Sequence, residues 1–323
     1  MWESSRVLVT GGAGFIGSHL VKKLVSMGSD VRVADNLSRG SLENIDPLNG
    51  IHFENLDLAS QQNCLAATKD VDYVFHLAAS VGGIHYIKKE NVENLTPSVL
   101  MNTNMLEAAR INDVKRFLFA SSACVYQERS AELNEFKEED AYPANPATTY
   151  GWAKLLGEIG CRAYHLDYGM KCSAIRLFNV YGENENLDPR WSHVIPSLIR
   201  RALYYPKEGF TLFGDGKQER AFLYAEDCAE GLIRSVERIE NGEPINLGSE
   251  EIVSLANLAG KVVKLSGKRI DVQYDRSGPQ GTRRYCANTK RMKETLGWSP
   301  KINLEEGLSR TYDWARKKLA VAK

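Results

Sequence analysis

Short apolar runs alternate with amphipathic stretches through the first half of the chain. The apolar runs predict β-strands at residues 6–10, 31–35, 51–55, 73–77 and 116–121. Between several of these runs, apolar positions recur at helical spacing, which predicts helices at residues 15–27 and 100–111. Because strands that alternate with helices form parallel sheets, we expect an α/β fold with helices on both faces of the sheet.

The alternating pattern changes in the middle of the chain. A segment rich in proline and acidic residues, 132–146, predicts a loop at the sheet edge, and a helix at 147–168 and a strand at 171–178 follow it. Beyond residue 181 the sequence predicts a loop at 182–192, a strand at 210–213 and helices at 195–204, 254–265, 289–296 and 304–319. We therefore expect a main domain at 1–180, to which later segments can return, and a smaller, mostly helical domain at 181–323.

A glycine-rich turn directly follows the first predicted strand. Residues 10–17 read Thr-Gly-Gly-Ala-Gly-Phe-Ile-Gly, at the point where the strand turns into a helix. Gly11 permits a tight turn, Gly14 lets a pyrophosphate approach the backbone, and Gly17 allows the helix to pack closely on the strand. The N–H groups at the helix N-terminus attract the anion. The main domain is therefore predicted to be a doubly wound Rossmann domain that binds a dinucleotide.

An acidic residue, Asp35, ends the second strand. It lies about 20 residues beyond the glycines, where a carboxylate accepts hydrogen bonds from the adenosine ribose hydroxyls. Asp35 would repel a 2′-phosphate, so the predicted cofactor is NAD rather than NADP, with Arg39 nearby as the main argument for NADP. The other predicted cofactor contacts are Phe15, Ile16, Asn36, Asp57, Leu58, Leu77, Ala78, Ala79, Tyr150 and Lys154.

Tyr150 and Lys154 lie near the start of the long predicted helix. Their i, i+4 spacing places the phenol and the ammonium group on one helix face. An unperturbed tyrosine has a pKa of about 10, but a nearby lysine and a positive nicotinamide ring both favour its phenolate. Tyr150 is therefore predicted to accept a proton from a substrate hydroxyl.

The fifth predicted strand leads into the string Ser-Ser-Ala-Cys-Val-Tyr at residues 121–126. Together with the glycine motif and the Tyr-x-x-x-Lys pair, this string resembles the extended short-chain dehydrogenase/reductase family. The resemblance covers the chain from Gly11 to the Leu-Gly-Trp string at 296–298. It implies that Ser122 hydrogen-bonds the reacting hydroxyl beside that pair, and that the substrate lies between the two domains.

Several strings narrow the resemblance within that family. Those at residues 81–83, 106–112, 121–126, 214–220 and 278–283 are similar to GDP-mannose 3,5-epimerases, and Ser-His-Val-Ile-Pro at 192–196 is similar to GDP-fucose synthases. Both groups carry a cysteine at the position of Cys124. The resemblance implies an NAD-dependent enzyme that acts on a nucleotide-diphosphate sugar, with GDP as the implied nucleotide.

The same resemblance implies that Cys124 and His193 transfer protons. Once C4 of a sugar is a ketone, the neighbouring C–H groups become acidic enough for a thiolate to remove a proton. Cys124 is implied to exchange protons at C3 and C5, and His193 to supply the proton on the opposite face; the 3,5-epimerases have a lysine in that region, which this chain lacks. The alternative interpretations are that Cys124 is a packed core residue and that His193 is a solvent-facing residue at the start of a helix.

The resemblance also implies the substrate contacts and the oligomeric state. Asn179, Arg220 and Arg283 match positions near the diphosphate, whose oxygens suit the planar fork of arginine. The predicted substrate-binding residues are Gly83, Ser122, Asn179, His193, Arg220 and Arg283. Ser98 replaces an asparagine that is usual in relatives. A homodimer is implied through the helices at 100–111 and 147–168.

Composition argues against several other classes of protein. Lys plus Arg and Asp plus Glu both number 41, so the formal net charge is zero and neither nucleic acid nor a membrane surface is an expected partner. The six cysteines are scattered without metal-ligand spacing, which predicts reduced thiols and no metal site. The sequence has neither an apolar run of about 18 residues nor a signal-peptide pattern, so we expect a cytoplasmic protein without a membrane span.

These observations predict an enzyme that epimerises a nucleotide sugar at C5, C3 or both after transient oxidation at C4. One alternative, suggested by His193, is an NAD(P)H-dependent GDP-4-keto-6-deoxymannose 3,5-epimerase/4-reductase. Asp35 argues against it, because reductive enzymes usually use NADPH. A nucleotide-sugar 4-epimerase is another alternative. A third alternative is a non-catalytic dinucleotide sensor, but the presence of Ser122, Tyr150 and Lys154 argues against it.

Overall fold

Seven parallel strands form the central sheet of the computed structural model, which describes residues 1–46, 50–82, 91–127, 135–277 and 282–321. The strands are β1 Arg6–Thr10, β2 Asp30–Asp35, β3 Ile51–Asn55, β4 Tyr73–His76, β5 Arg116–Ser122, β6 Cys172–Leu177, β7 Val180–Tyr181, β8 Thr211–Phe213, β9 Glu219–Ala221, β10 Leu223–Tyr224, β11 Asn241–Leu247, β12 Ile252–Ser254, β13 Gln273–Asp275 and β14 Arg284–Tyr285. In the central sheet their order is β11-β6-β5-β4-β1-β2-β3. Parallel pairing brings the carboxyl ends of these strands to one edge of the sheet.

Helices cover both faces of this sheet. They are α1 Phe15–Ser26, α2 Gln61–Thr68, α3 Asn91–Ile111, α4 Thr149–Tyr168, α5 Val194–Tyr204, α6 Ala225–Arg238, α7 Leu255–Ser266, α8 Lys290–Leu296 and α9 Leu304–Val321. Successive side chains of a strand point to opposite faces. Val7 and Val9 of β1 accordingly pack with α1 and α6, whereas Leu8 packs with α2, α3 and α4. The predicted doubly wound α/β fold is confirmed.

Most of the predicted elements lie within a residue or two of the observed ones. The main difference is α3, which begins nine residues before the predicted start at Leu100 and contains Pro97 within it. The elements that were not predicted include helices α2 and α6, strand β11 and several strands of two or three residues in the second half of the chain. The β11 sequence contains Gly242 and Pro244, which are typical of turns, yet its backbone pairs with β6 across a register shift.

The second half of the chain contributes to two cores. Strand β11 belongs to the central sheet, and helices α6 and α8 pack on it through residues such as Leu232 and Met292, which share a core with Leu247 of β11. Helices α5, α7 and α9 form a separate apolar cluster, which includes Ile199, Leu258 and Leu308. Within the described ranges, none of the helices combines the length and the apolar character that a bilayer crossing requires.

A buried ion pair joins the sheet to α4. The guanidinium of Arg176 in β6 is fully buried and donates to both oxygens of the Glu158 carboxylate, at 2.9 and 2.7 Å. Arg176 also donates to the hydroxyl of Tyr126 at 2.9 Å, and the Ser121 hydroxyl donates to Glu158. These bonds hold the carboxyl end of β5 against α4 and β6, next to the site described below.

Candidate active site

The turn after β1 forms a cradle of backbone atoms. Gly11 has a φ of +68°, and a Cβ atom at this position would lie 2.9 Å from the backbone nitrogen of Ala78. A Cβ atom on Gly17 would collide with the carbonyl oxygen of Gly11, so α1 packs on the turn only because residue 17 is glycine. Gly14 is the N-cap of α1, and without a side chain it leaves the first N–H groups of the helix accessible to an anion.

Asp35 lies beside this cradle at the end of β2. Its carboxylate accepts hydrogen bonds from the backbone N–H groups of Ala13, at 3.1 Å, and Leu37, at 2.8 Å. Burial raises the pKa of Asp35, and the two hydrogen bonds oppose that rise. Arg39 stacks on the indole of Trp191, with 3.5 Å between its guanidinium carbon and the ring centroid. Asp35 is therefore held in a fixed orientation, while Arg39 contacts the other side of the cavity.

Strand β4, which pairs with β1, leads into a second wall of the site. The hydroxyl of Thr10 accepts hydrogen bonds from the N–H groups of Leu77 and Ala78, both at 3.1 Å, and lies 2.8 Å from Nδ1 of His76. Burial lowers the pKa of His76 to about 3, so this ring is a neutral packing residue. The other predicted cofactor residues line the same cavity: Phe15, Ile16, Asn36, Asp57, Leu58, Leu77, Ala78 and Ala79.

The carboxyl end of β5 carries Ser122 and Cys124. The Ser122 hydroxyl caps the 3-10 helix Ala123–Val125 by accepting from the N–H of Cys124 at 3.1 Å. A Cβ atom on Gly151 would collide with the Cys124 carbonyl oxygen, so glycine at this position lets α4 approach the turn. Five of the six cysteines are buried, whereas Cys124 is partly exposed and lines the cavity. This placement differs from that of a packed core cysteine.

Tyr150 and Lys154 lie on the face of α4 that contacts this turn. Burial raises the pKa of Tyr150 and the charge of Cys124 raises it further, whereas a hydrogen bond with Ser122 lowers it. Burial lowers the pKa of Lys154 to about 8. The Lys154 ammonium donates to the carbonyl oxygen of Ala120 at 2.6 Å and lies 5.7 Å from the centroid of the Tyr150 ring. Lys154 is thus held by the backbone of β5 beside the Tyr150 ring.

His193 is the N-cap residue of α5 and lines the cavity with a half-exposed side chain. Its Nδ1 atom lies 2.6 Å from a carboxylate oxygen of Glu185, which is buried. Partial desolvation in the cavity wall opposes the charged imidazolium, but the hydrogen bond and the charge of Glu185 outweigh this effect and raise the pKa of His193. Sequence reasoning missed Glu185, because a glutamate eight residues before a histidine in an irregular loop gives no recognisable spacing.

Only some of the predicted substrate-binding residues line the cavity. Asn179 and Arg220 line the cavity; the Asn179 amide donates to the carbonyl oxygens of Ala221 and Tyr285, at 3.0 and 3.2 Å. Arg283 does not line the cavity and forms an ion pair with Asp215 at 3.1 Å. Gly83 lies outside the described residues. Ser98 is buried, and its hydroxyl accepts from the N–H of Ser80 at 3.4 Å, which connects α3 to the chain beyond β4.

One continuous cavity of about 1890 Å³ contains these groups. Sites for a single small ligand typically measure roughly 300–1,000 Å³. The cavity therefore has room for a dinucleotide along the carboxyl ends of the strands and for a second ligand beside it. All the predicted catalytic residues line it, namely Ser122, Cys124, Tyr150, Lys154 and His193.

Comparison with known proteins defines the class. Residues 7–248 match the model of the NAD dependent epimerase/dehydratase family, so the chain belongs to this family and is one of its enzymes. The backbone cradle of Gly11, Gly14 and Gly17 and the adjacent carboxylate of Asp35 fit a dinucleotide. The family and the cofactor NAD predicted from the sequence are confirmed.

Individual relatives cover nearly the whole chain. GDP-mannose 3,5-epimerase 1 of Oryza sativa subsp. indica is 35% identical over 322 residues, which is 98% of this chain and 83% of that protein. GDP-L-fucose synthase 1 of Arabidopsis thaliana is 31% identical, over 98% of this chain and 94% of that protein. The structure of UDP-glucose 4-epimerase from Thermus thermophilus in complex with NAD aligns with a TM-score of 0.84 at 28% identity, covering 96% of this chain and 99% of that one.

Proposed function

We propose that this enzyme is an NAD-dependent epimerase of a nucleotide-diphosphate sugar, similar to GDP-mannose 3,5-epimerase, that inverts C5, C3 or both. The observation that carries the proposal is the presence of two sets of groups in one cavity. Ser122, Tyr150 and Lys154 suit oxidation and reduction at a carbinol carbon, and Cys124 and His193 suit proton transfer at its neighbours. An enzyme that only inverted C4 would have no use for the second set.

The first set of groups acts on the C4 hydroxyl. Bound NAD, held by the glycine cradle and Asp35, supplies a reversible two-electron oxidant and a positive ring charge that favours a nearby phenolate. Tyr150 takes the proton from the C4 oxygen, and Ser122, which hydrogen-bonds Tyr150, orients that oxygen. Lys154 keeps a positive charge at the base of the site, fixed on the Ala120 carbonyl.

The second set acts while C4 is a ketone. The Cys124 thiolate removes a proton from C5 or C3, and the negative charge spreads onto the ketone oxygen. The protonated ring of His193 returns a proton to the same carbon from the opposite face, which inverts it. Tyr150 then returns its proton to the C4 oxygen when C4 is reduced, so the sugar undergoes no net oxidation.

The substrate nucleotide is proposed to lie toward β9. Arg220 lines this part of the cavity, and its guanidinium is oriented by hydrogen bonds to the carbonyl oxygens of Glu219, at 2.7 Å, and Thr282, at 3.0 Å. Its remaining N–H groups suit diphosphate oxygens. Asn179 supports the same wall. A contact from Arg283 to the diphosphate would require its ion pair with Asp215 to open.

His193 favours a second candidate, a 3,5-epimerase that also reduces C4, as in a GDP-fucose synthase. The two candidates differ in the fate of the cofactor, because only the second consumes a reduced nicotinamide in each turnover. Asp35 supports the first candidate, since its carboxylate lies where a 2′-phosphate of NADP would be repelled.

Isotope uptake from solvent is the test of the proposal. We expect the protein, incubated with GDP-mannose and NAD in deuterated water, to place deuterium at C5, C3 or both and to form the corresponding epimers, measured by NMR. The matching UDP-, CDP- and dTDP-sugars are the controls for the nucleotide. Inversion at C4 without deuterium uptake would identify a 4-epimerase instead, and stoichiometric consumption of a reduced cofactor with a 4-keto sugar would identify the reductase.

We also propose a homodimer formed through α3 and α4. Large apolar side chains are about half exposed on these helices: Leu100 and Ile111 on α3, and Trp152, Leu156 and Ile159 on α4. The α4 residues lie at i, i+4 and i+7 and so share one face. Several large exposed apolar side chains on one helix face are typical of an association site.

Sedimentation of the purified protein is expected to give twice the mass of one chain. The double variant Leu156→Lys, Ile159→Lys should sediment as a monomer, because it places charges in the proposed interface. Leu42→Lys is the matched control and should remain dimeric. Leu42 is an exposed leucine between β2 and β3, at the sheet edge far from α4. A monomeric wild-type protein, or an unchanged mass in the double variant, would refute this interface.

A further inference from the structure

Glu185 is a buried acid in the cavity wall whose carboxylate is only half satisfied. Its side chain is 3% exposed, and one oxygen accepts from Nδ1 of His193 at 2.6 Å. The other oxygen, Oε2, is buried and has no hydrogen-bond partner in the described part of the chain. Burying a carboxylate in this way is costly unless a positive charge compensates it, and the imidazolium of His193 is the group in position to do so. We call Glu185 and His193 the dyad.

The chain segment that carries Glu185 is fixed to the cofactor helix. Nε2 of His19 lies 2.9 Å from the carbonyl oxygen of Glu183, and the amide of Asn184 donates to the Ser18 hydroxyl at 3.1 Å. Ser18 and His19 both belong to α1, directly after the glycine cradle. The carboxylate is therefore anchored to the part of the fold that binds NAD, although its loop is irregular.

Hydrogen bonding at Nδ1 determines what the other ring nitrogen can do. In the described residues, Nε2 of His193 has no partner, and His193 lines the same cavity as Cys124. A histidine whose Nδ1–H is bound to a carboxylate has its ring orientation and tautomer fixed. When the ring is protonated, Nε2 carries the proton that can be transferred into the cavity.

Other charges near the dyad are paired elsewhere. Asp188 pairs with Arg190 at 2.6 Å, and Arg200 of α5 pairs with Glu208 at 2.7 Å. Arg201 of α5 donates to the carbonyl oxygen of Thr211. Cys124, Tyr150 and Lys154 are titratable groups that line the same cavity. Within the described residues, Glu185 is the one ionisable group whose hydrogen bond and charge raise the pKa of His193.

We propose that Glu185 is a positioning residue for proton transfer: it orients His193 with Nε2 toward the substrate and keeps the ring protonated as the acid on the face opposite Cys124. This inference rests on the proposed epimerase function. It adds a residue that does not touch the substrate and acts through His193.

The titration of His193 tests this proposal without any substrate. NMR of isotope-labelled histidine, with the His193 signal assigned from His193→Asn, should give wild-type His193 a pKa above the ordinary value of about 6.5. In Glu185→Gln, which keeps the size of the side chain and removes its charge, this pKa should fall by about one unit or more. Glu208→Gln removes a carboxylate near the same helix and should leave it unchanged.

The reaction gives the second measurement. A fall of one unit in the His193 pKa reduces the protonated fraction about tenfold at pH values above both pKa values, so inversion in Glu185→Gln should slow about tenfold there and less at lower pH. The rate should decline with rising pH from a lower pH than in the wild type, while proton removal by Cys124 continues and appears as deuterium uptake without inversion.

The two proposals fail in different ways. A wild-type His193 pKa at or below the ordinary value, or an unchanged pKa in Glu185→Gln, would overturn the role of Glu185 whatever the substrate is. Absence of turnover on every nucleotide sugar would overturn the epimerase function and leave the titration result intact.

Discussion

Replacing Cys124 by alanine is expected to abolish deuterium uptake at C3 and C5 of the sugar while C4 is still oxidised. The reason is that the two halves of the proposed reaction use different side chains in the same cavity. Tyr150, Lys154 and Ser122 act on the C4 hydroxyl, and the thiol lies on the adjoining 3-10 helix. General acid–base catalysis contributes roughly 10²–10⁴-fold, or about 3 to 5 kcal/mol of barrier, so the loss should be large.

Two further variants make this experiment specific. Tyr150→Phe should block C4 oxidation and therefore also deuterium uptake, because without the ketone the neighbouring protons are not acidic. Cys64→Ala is the matched control for loss of a thiol, since Cys64 of α2 is buried and does not line the cavity. The absorbance of the bound cofactor reports C4 oxidation, and NMR reports the deuterium.

The result for Cys124→Ala that would contradict the mechanism is wild-type deuterium incorporation. In that case the thiol would be a wall residue only, and another base would remove the proton. The position of Cys124 as the one partly exposed cysteine of the six would then need a different explanation.

Replacing Glu158 by glutamine is expected to lower the free energy of unfolding by about 3 to 5 kcal/mol. Arg176 is fully buried and pairs with both oxygens of Glu158, so removal of the carboxylate charge leaves a guanidinium without compensation in the core. Arg176 also orients the Tyr126 hydroxyl, which donates to Asn246 at 2.6 Å, so the loss extends to β11. Urea unfolding measured under identical conditions is the test.

An exposed pair provides the control for this stability prediction. Glu294 lies 4.0 Å from Lys290 on α8 with both side chains largely exposed, and Glu294→Gln should change stability by less than about 1 kcal/mol. Replacing Glu158 and Arg176 together by leucine and methionine should recover much of the loss, because the pair then leaves no charge behind. Stability of Glu158→Gln equal to that of the exposed-pair variant would mean that the core tolerates an unpaired Arg176.

The cofactor cradle could be predicted from the sequence because the residues that form it are close together in the chain. A strand, a turn with Gly11 and Gly14 and the first helical turn with Gly17 follow each other directly, and each glycine has a steric reason in the backbone itself. Asp35 follows at the end of the next strand. Parallel pairing of β1 with β2 then brings the carboxylate beside the turn.

The same holds for the pairing of Tyr150 with Lys154, which depends only on the helical repeat. Their chemical environment, in contrast, depends on residues that are distant in the chain. The direction of the Lys154 ammonium toward the Ala120 carbonyl, and the burial that raises the pKa of Tyr150, come from β5 and the 3-10 turn that pack on α4. The sequence therefore predicted which groups are adjacent, but gave no indication that the lysine binds the backbone.

The sequence by itself determined the α/β pattern, the NAD cradle and the adjacency of the pair on α4, since these follow from interactions between residues near in the chain. The tertiary structure alone decided which distant groups meet. It brought Glu185 to His193, placed both in the lining of the cavity that also contains Cys124, and directed Arg283 to Asp215 instead of the cavity wall. The physical reason is that these contacts depend on how irregular loops pack against helices, and such packing leaves no periodic signal in the sequence.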